Sequence, residues 1–144
     1  MRNEVIGYTS GVYDLFHIGH LNILRRAKEH CDRLIVGVST DELVRDYKGH
    51  LPVIPYGERV EIVKAIRYVD QVVPQLSLDK MAAWEQWHFH RLFHGNDWKN
   101  SPLYNEIERK LSAVGVEIVY FPYTQGTSST QLAGALRGIR SANG

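Results

Sequence analysis

His17 and His20, separated by Ile18 and Gly19, are the residues of this chain best suited to chemistry. An imidazole donates a hydrogen bond to a phosphate oxygen and titrates near neutral pH, so either ring is available as a neutral or a charged donor. The ten residues from Gly11 to His20, GVYDLFHIGH, follow an apolar strand-like run, Val5 to Tyr8, and open a helical stretch, Leu21 to Lys28. The pair therefore sits where a strand hands over to a helix N-terminus. Backbone N–H groups and the helix dipole already favour an anion there. Gly19 has no Cβ to keep backbone or ligand away. Two surface residues, or a helix-capping arrangement, would give the same short pattern. The strand before it, the helix after it and Gly11-x-x-Asp14 ahead of it favour the phosphate reading.

Two cations further along could serve the same anion. Lys48 lies beside a glycine in a turn-rich stretch from Asp46 to Pro55, read as a loop. A solvated lysine is the plain reading of such a residue, and a lid lysine that reaches phosphate is the sharper one. Arg59 falls in the first turn of a helix read from Gly57 to Arg67, an unfavourable end for a cation unless an anionic partner is near. Near the C-terminus, Thr127-Ser128-Ser129-Thr130 with Gln131 forms a capping-box pattern and a second candidate phosphate site.

The elements that must position these groups alternate. Strands are read at Val5 to Tyr8, Arg33 to Val38, Val69 to Pro74, Arg91 to His94 and Val116 to Phe121, with helical patterns between them. Ser39 to Glu42 reads as a capping box for the helix after the second strand, with Ser39 as the cap. Met81, Trp84 and His88 are spaced for one helix face and read as core. This order argues for an α/β, Rossmann-like three-layer sandwich: a mostly parallel five-stranded sheet with helices on both faces. Ligands of such sheets collect at the carboxyl ends of the strands. Asp14 to His20, Ser39 to Asp41, Asn96 to Trp98 and Thr124 to Thr130 all fall there.

With 144 residues, 44% of them apolar, the chain suits one domain with a real core, and no repeat or linker interrupts it. Seventeen basic and 16 acidic side chains leave a net charge of +1, so no global field draws it to nucleic acid or membrane. No apolar run approaches a membrane span, and the first residues run into a strand rather than a signal peptide. Cys31 is the single cysteine, which excludes an internal disulfide and fits a reducing cytoplasm.

Taken together the motifs resemble those of the cytidylyltransferases, most closely the small glycerol-3-phosphate cytidylyltransferase type, over almost the full chain. GVYDLFHIGH is similar to the family's G-x-F-D-x-x-H-x-G-H. Ser39-Thr40-Asp41-Glu42 is similar to its S-T-D-E, and Arg67-Tyr68-Val69-Asp70 to its R-Y-V-D. Gly95-Asn96-Asp97-Trp98 resembles G-D-D-W, and Thr124 to Thr130 resembles the signature T-x-G-I-S-T-T. The H-x-G-H pattern is shared by many nucleotidyltransferases, whereas the other elements in this order are more specific. Two departures stand out: Tyr123 occupies the place of the signature arginine, and Asn96 that of the first aspartate of G-D-D-W.

The resemblance implies a single nucleotidyltransferase domain over residues 1–144. That domain would move CMP from CTP to a small phosphorylated alcohol and release pyrophosphate. It implies His17, His20, Lys48 and Arg59 as catalytic residues. Nucleotide contacts would come from Ser10, Gly11, Val12, Tyr13, Asp14, Gly19, Asn96, Asp97, Trp98, Thr124, Gly126, Ser128, Ser129 and Thr130. Mg²⁺ is the implied cofactor, with Asp14 as its protein-side residue. The implied partners are small molecules and a second copy of the chain. An adenylyltransferase of the same superfamily, acting for example on a flavin, and a non-catalytic nucleotide binder remain as alternatives.

Overall fold

The computed structural model describes residues 3–95, 101–122 and 132–136. Among them, five strands are separated by helices, two of them in succession between β2 and β3: β1 (Ile6–Gly11), α1 (Ile18–Glu29), β2 (Arg33–Ser39), α2 (Asp41–Lys48), α3 (Tyr56–Lys64), β3 (Gln71–Gln75), α4 (Lys80–Trp87), β4 (Arg91–Gly95), α5 (Pro102–Ala113) and β5 (Glu117–Phe121). A further helical stretch covers 132–136. Every strand pairing is parallel, in the order β3-β2-β1-β4-β5.

The period-two alternation of β2 shows why helices are needed on both faces. Leu34, Val36 and Val38 face α1 and α3, packing with Leu24, Ala27 and Val63. Ile35 faces the other way, into a second core with Tyr8, Val73, Phe89, Leu92 and Leu111, flanked by Met81 and Trp84 of α4. Met81 and Trp84 are thus partly buried against the core as their spacing implied, whereas His88 is exposed, because α4 ends at Trp87 and His88 turns out of it as a left-handed C-cap. Asp70 fastens the near end of β2: its carboxylate accepts from Leu34 N–H at 2.8 Å and from Lys28 Nζ at 2.6 Å.

The chain starts in the centre, moves outward through β2 to β3, then returns to lay β4 against the free side of β1. That reversal makes a topological switch point between β1 and β4, where ligands of open parallel sheets bind. Pairing there is short, running only from Gly7↔Arg91 to Tyr8↔Leu92, whereas β1 and β2 stay in register from Ile6 to Gly11. Thr9 Oγ1 donates to Phe93 O at 3.1 Å, a side-chain link where the backbone ladder has stopped.

Several boundaries differ from the sequence reading. Thr40, not Ser39, caps α2, accepting from Leu43 N–H, because the Ser39 side chain turns under the sheet to Gln75. Lys48 is the last residue of α2 rather than part of a loop, and Gly49 closes the helix at φ +81°, a conformation glycine adopts without Cβ strain. Pro74 lies inside β3, which tolerates it as an edge strand.

Candidate active site

α1 begins at Ile18, three residues earlier than its apolar pattern implies, because the two histidines cap it. His17 Nδ1 accepts from Gly19 N–H at 3.0 Å, and His20 Nδ1 accepts in return from His17 N–H at 3.2 Å. The capping and phosphate readings of the pair are therefore not exclusive. A ring whose Nδ1 accepts a hydrogen bond carries its proton on Nε2 when neutral. The cap thus fixes one tautomer in both rings and makes Nε2–H, on the edge away from the cap, the donor. It also engages two of the helix-start N–H groups, so the rings rather than these amides carry the donor capacity outward.

The rings lie 4.0 Å apart between centroids, and His20 also packs near Tyr13 and Phe16. Burial lowers the pKa of both. His20 falls to about 4, through desolvation first and then repulsion from His17, with Asp14 acting weakly the other way. Both are neutral donors in the ligand-free protein at pH 7, rather than the charged rings the sequence also allowed. The loop that delivers them carries Tyr13 at φ 56° and Leu15 at φ 50°, a left-handed conformation that non-glycine residues adopt at a cost.

Ser10 to Asp14, together with His20 and Lys48, line a cavity of about 590 Å³ at the switch point. His94 and Gly95 at the end of β4 close its other side, and His50, Pro52 and Ala133 complete the rim. The sequence reading had not singled out His50 or His94. Lys48 is exposed, with its ammonium 5.7 Å from the Tyr47 ring centroid, so it brings a solvated charge to the cavity rim.

Asp14 and Arg59 hold the segment that follows α2. The Asp14 carboxylate accepts from Val53 N–H and Ile54 N–H, each at 2.8 Å. Arg59, 1% exposed, donates to Ile54 O at 2.8 Å, Val12 O at 2.7 Å, Ser39 O at 2.8 Å and Asp41 Oδ1 at 2.6 Å. Asp41 Oδ2 in turn accepts from Tyr56 N–H. Arg59 was expected to present its charge to phosphate. The structure instead turns its guanidinium to four protein acceptors, joining the His-bearing loop, the end of β2 and the 53–54 segment.

The opposite side of β1 holds a polar cluster that the sequence reading missed. Ser39 Oγ donates to Gln75 Oε1 at 2.6 Å, which turns Gln75 Nε2 to Ser10 Oγ at 3.2 Å. Lys80 Nζ reaches the same Ser10 oxygen at 2.5 Å. Lys80 is the first residue of α4, buried, and among the described residues no carboxylate pairs with it. Burial alone pulls its pKa down to about 8. A buried ammonium at a helix N-terminus opposes both solvation and the dipole. Its signal in the sequence was faint, since α4 is short and Lys80 follows a capping Asp79 as any surface lysine would.

Among the described residues no group of three or more His, Cys, Asp or Glu side chains could hold a metal ion. Each Asp14 oxygen accepts one backbone amide, which commits the carboxylate to the 53–54 segment and suits it to the waters of a metal carried on a nucleotide rather than to a protein-built cage. Asn96, Asp97, Trp98, Thr124, Gly126, Ser128, Ser129 and Thr130 lie outside the described residues. No helix among the described residues is long and apolar enough to cross a membrane.

The family model described as cytidylyltransferase-like matches residues 8–135. FAD synthase of Pyrococcus horikoshii is 39% identical over 119 residues, covering 78% of this chain and 77% of that protein. Glycerol-3-phosphate cytidylyltransferase of Staphylococcus aureus is 34% identical over 131 residues, covering 90% and 93%. Among solved structures, a lipopolysaccharide core biosynthesis protein from Thermoplasma volcanium superposes with a TM-score of 0.71 at 22% identity. It covers 87% of this chain and all of that one, a likeness of fold.

Proposed function

The chain belongs to the cytidylyltransferase-like family of nucleotidyltransferases, and from that premise we propose that it transfers CMP from CTP to a small phosphorylated alcohol of the glycerol-3-phosphate kind. The products would be a CDP-alcohol and pyrophosphate. The observation that carries the reading is the reciprocal cap, which holds two neutral imidazoles with Nε2–H as donor, His20 lining the switch-point cavity and His17 outside its lining but 4.0 Å from the His20 ring between centroids.

The nucleophile is an oxygen of the acceptor's phosphate, which is largely ionised at pH 7 because its second pKa is near 6. It attacks the α-phosphorus of CTP, the bond from that phosphorus to the bridging oxygen breaks, and pyrophosphate leaves with the electron pair. No general base is required. The barrier lies in bringing two polyanions together, so positioned donors and charges do the work. The Nε2–H groups of His17 and His20 would meet oxygens of the α-phosphate and the leaving group, with Lys48 adding charge at the rim. Lys80 would face the acceptor's phosphate from the α4 side. Asp14 and Arg59 keep the 53–54 segment in place, and Asp14 would hold waters of a nucleotide-borne Mg²⁺. Such an ion, when bound, supplies charge neutralisation on the phosphates.

A second reading is ATP with FMN as the acceptor, favoured by the similarity to FAD synthase over three quarters of both chains. FMN is also a phosphomonoester, so the same residues would act. Pyrophosphate release, measured with CTP and with ATP against glycerol 3-phosphate, ethanolamine phosphate, a sugar phosphate and FMN, separates the two. Release with CTP and a polyol phosphate supports the first reading. Release only with ATP and FMN replaces it with the second, and no release with any pair leaves a nucleotide-binding protein without transferase activity. Homodimerisation and a cytoplasmic location belong to the same proposal.

A further inference from the structure

We infer that Ser10 is a positioning residue for an anion subsite, holding the Lys80 ammonium so that acceptor affinity, rather than nucleotide affinity, depends on it. The sequence resemblance placed Ser10 among nucleotide contacts, and the geometry points elsewhere. Its hydroxyl oxygen takes the Lys80 ammonium at 2.5 Å and the Gln75 amide at 3.2 Å together, and it shares a further hydrogen bond with the Tyr8 hydroxyl. With two donors on one oxygen and a third partner beyond, Ser10 has no capacity left for a nucleotide. It is instead the point where three buried polar side chains meet.

Each strand end supplies one part. Ser10 is the last residue but one of β1, Ser39 ends β2 and locks the Gln75 amide, and Gln75 ends β3. Gly37, beside Ser10 in the β1–β2 register, leaves the room that the Tyr8 hydroxyl fills, since a Cβ at Gly37 would collide with it. All these partners are neutral. Hydroxyls and an amide orient the ammonium without cancelling its charge, whereas a carboxylate in the same place would neutralise it. An uncompensated charge fixed in place, next to a residue that lines the cavity, is suited to an incoming phosphomonoester.

The inference rests on the proposed transfer to a phosphorylated acceptor, and its test separates the two. Steady-state kinetics with CTP and glycerol 3-phosphate would compare the wild type with Ser10→Ala, Ser10→Thr and Gln75→Glu. Loss of one hydrogen bond to a charged group predicts a rise in acceptor KM of roughly tenfold to a hundredfold for Ser10→Ala. Gln75→Glu, which introduces a competing carboxylate and keeps the packing, should raise it comparably. KM for CTP should change little in either, and Ser10→Thr should restore the acceptor. Equal rises in both KM values, or none, would overturn the inference while leaving the transferase reading intact. A wild type that releases no pyrophosphate defeats that reading instead. The subsite is then judged by titrating inorganic phosphate while following the Lys80 side-chain NMR signal. A shift in the wild type that Ser10→Ala abolishes upholds the inference, and no shift, or the same shift in both, refutes it.

Discussion

Replacing Arg59 by methionine asks what a buried guanidinium does here. The substitution keeps an unbranched side chain but removes every donor to Ile54 O, Val12 O, Ser39 O and Asp41 Oδ1. The Asp41 side chain is 32% exposed, so water takes over that carboxylate and the ion-pair part is small. The three carbonyls are worse off, since Ser39 O is fully buried and the other two partly so. Each orphaned carbonyl costs about 1 kcal/mol, for a total of roughly 3 kcal/mol. In a chain of this size that lowers the melting temperature by roughly 10 °C, readable by circular dichroism. Arg59→Lys keeps the charge and loses the fork, so it should recover only part of the loss. Turnover should fall in both variants because the 53–54 segment loses its anchor. An Arg59→Met protein that melts like the wild type and loses only CTP affinity would show that Arg59 is a phosphate ligand, and the reasoning would be wrong.

Further outcomes follow from the histidines and from Lys80. His17→Ala or His20→Ala should cut turnover by roughly two to four decades, as loss of a preorganised donor does, with a smaller effect on CTP binding measured by calorimetry. His17→Asn keeps an N-cap acceptor, so it should regain most of the roughly 1 kcal/mol lost with the cap while remaining inactive. His20 has its pKa depressed from 6.5 to about 4, so the unfolded state binds the proton more readily. Stability should therefore drop as pH falls from about 6.5 towards 4, by about 3 kcal/mol, and His20→Gln should flatten that part of a urea-midpoint series. Lys80, with a pKa of about 8, is charged below that pH and neutral above it. Acceptor KM should climb as pH passes 8, while in Lys80→Met it should be high and lack that step.

Much of the fold was written locally. The buried run of β2, the apolar run of β5 (half-buried, as an edge strand), the alternation with amphipathic helices and the turn formers between them were enough for a parallel sheet, and the sheet located the ligand site at its carboxyl ends. What escaped was set by partners far away in sequence. Ser39 and Thr40 are equally good caps on paper. Only the pairing of β2 with β3 decides that Ser39 turns to Gln75, 36 residues on, and leaves the cap to Thr40. Arg59 was legible as an odd cation in a first helical turn, but its acceptors at Val12 and Ser39 come together only when the sheet forms. Lys80 meets Ser10 across 70 residues. The histidine cap was invisible for another reason: imidazole is not a favoured N-cap, so the pattern that marks a phosphate site does not announce its own scaffold.

The central claim is that His17 and His20 are locked by their cap as neutral Nε2–H donors aimed at a triphosphate. Long-range ¹H–¹⁵N spectra of the imidazoles, recorded at pH 7 without and with a non-hydrolysable CTP analogue and Mg²⁺, test it directly. Both rings should show protonated Nε2 and unprotonated Nδ1 in the free protein, and nucleotide should shift both Nε2 signals. Rings protonated on Nδ1, or Nε2 signals that stay put while the nucleotide binds, would contradict it.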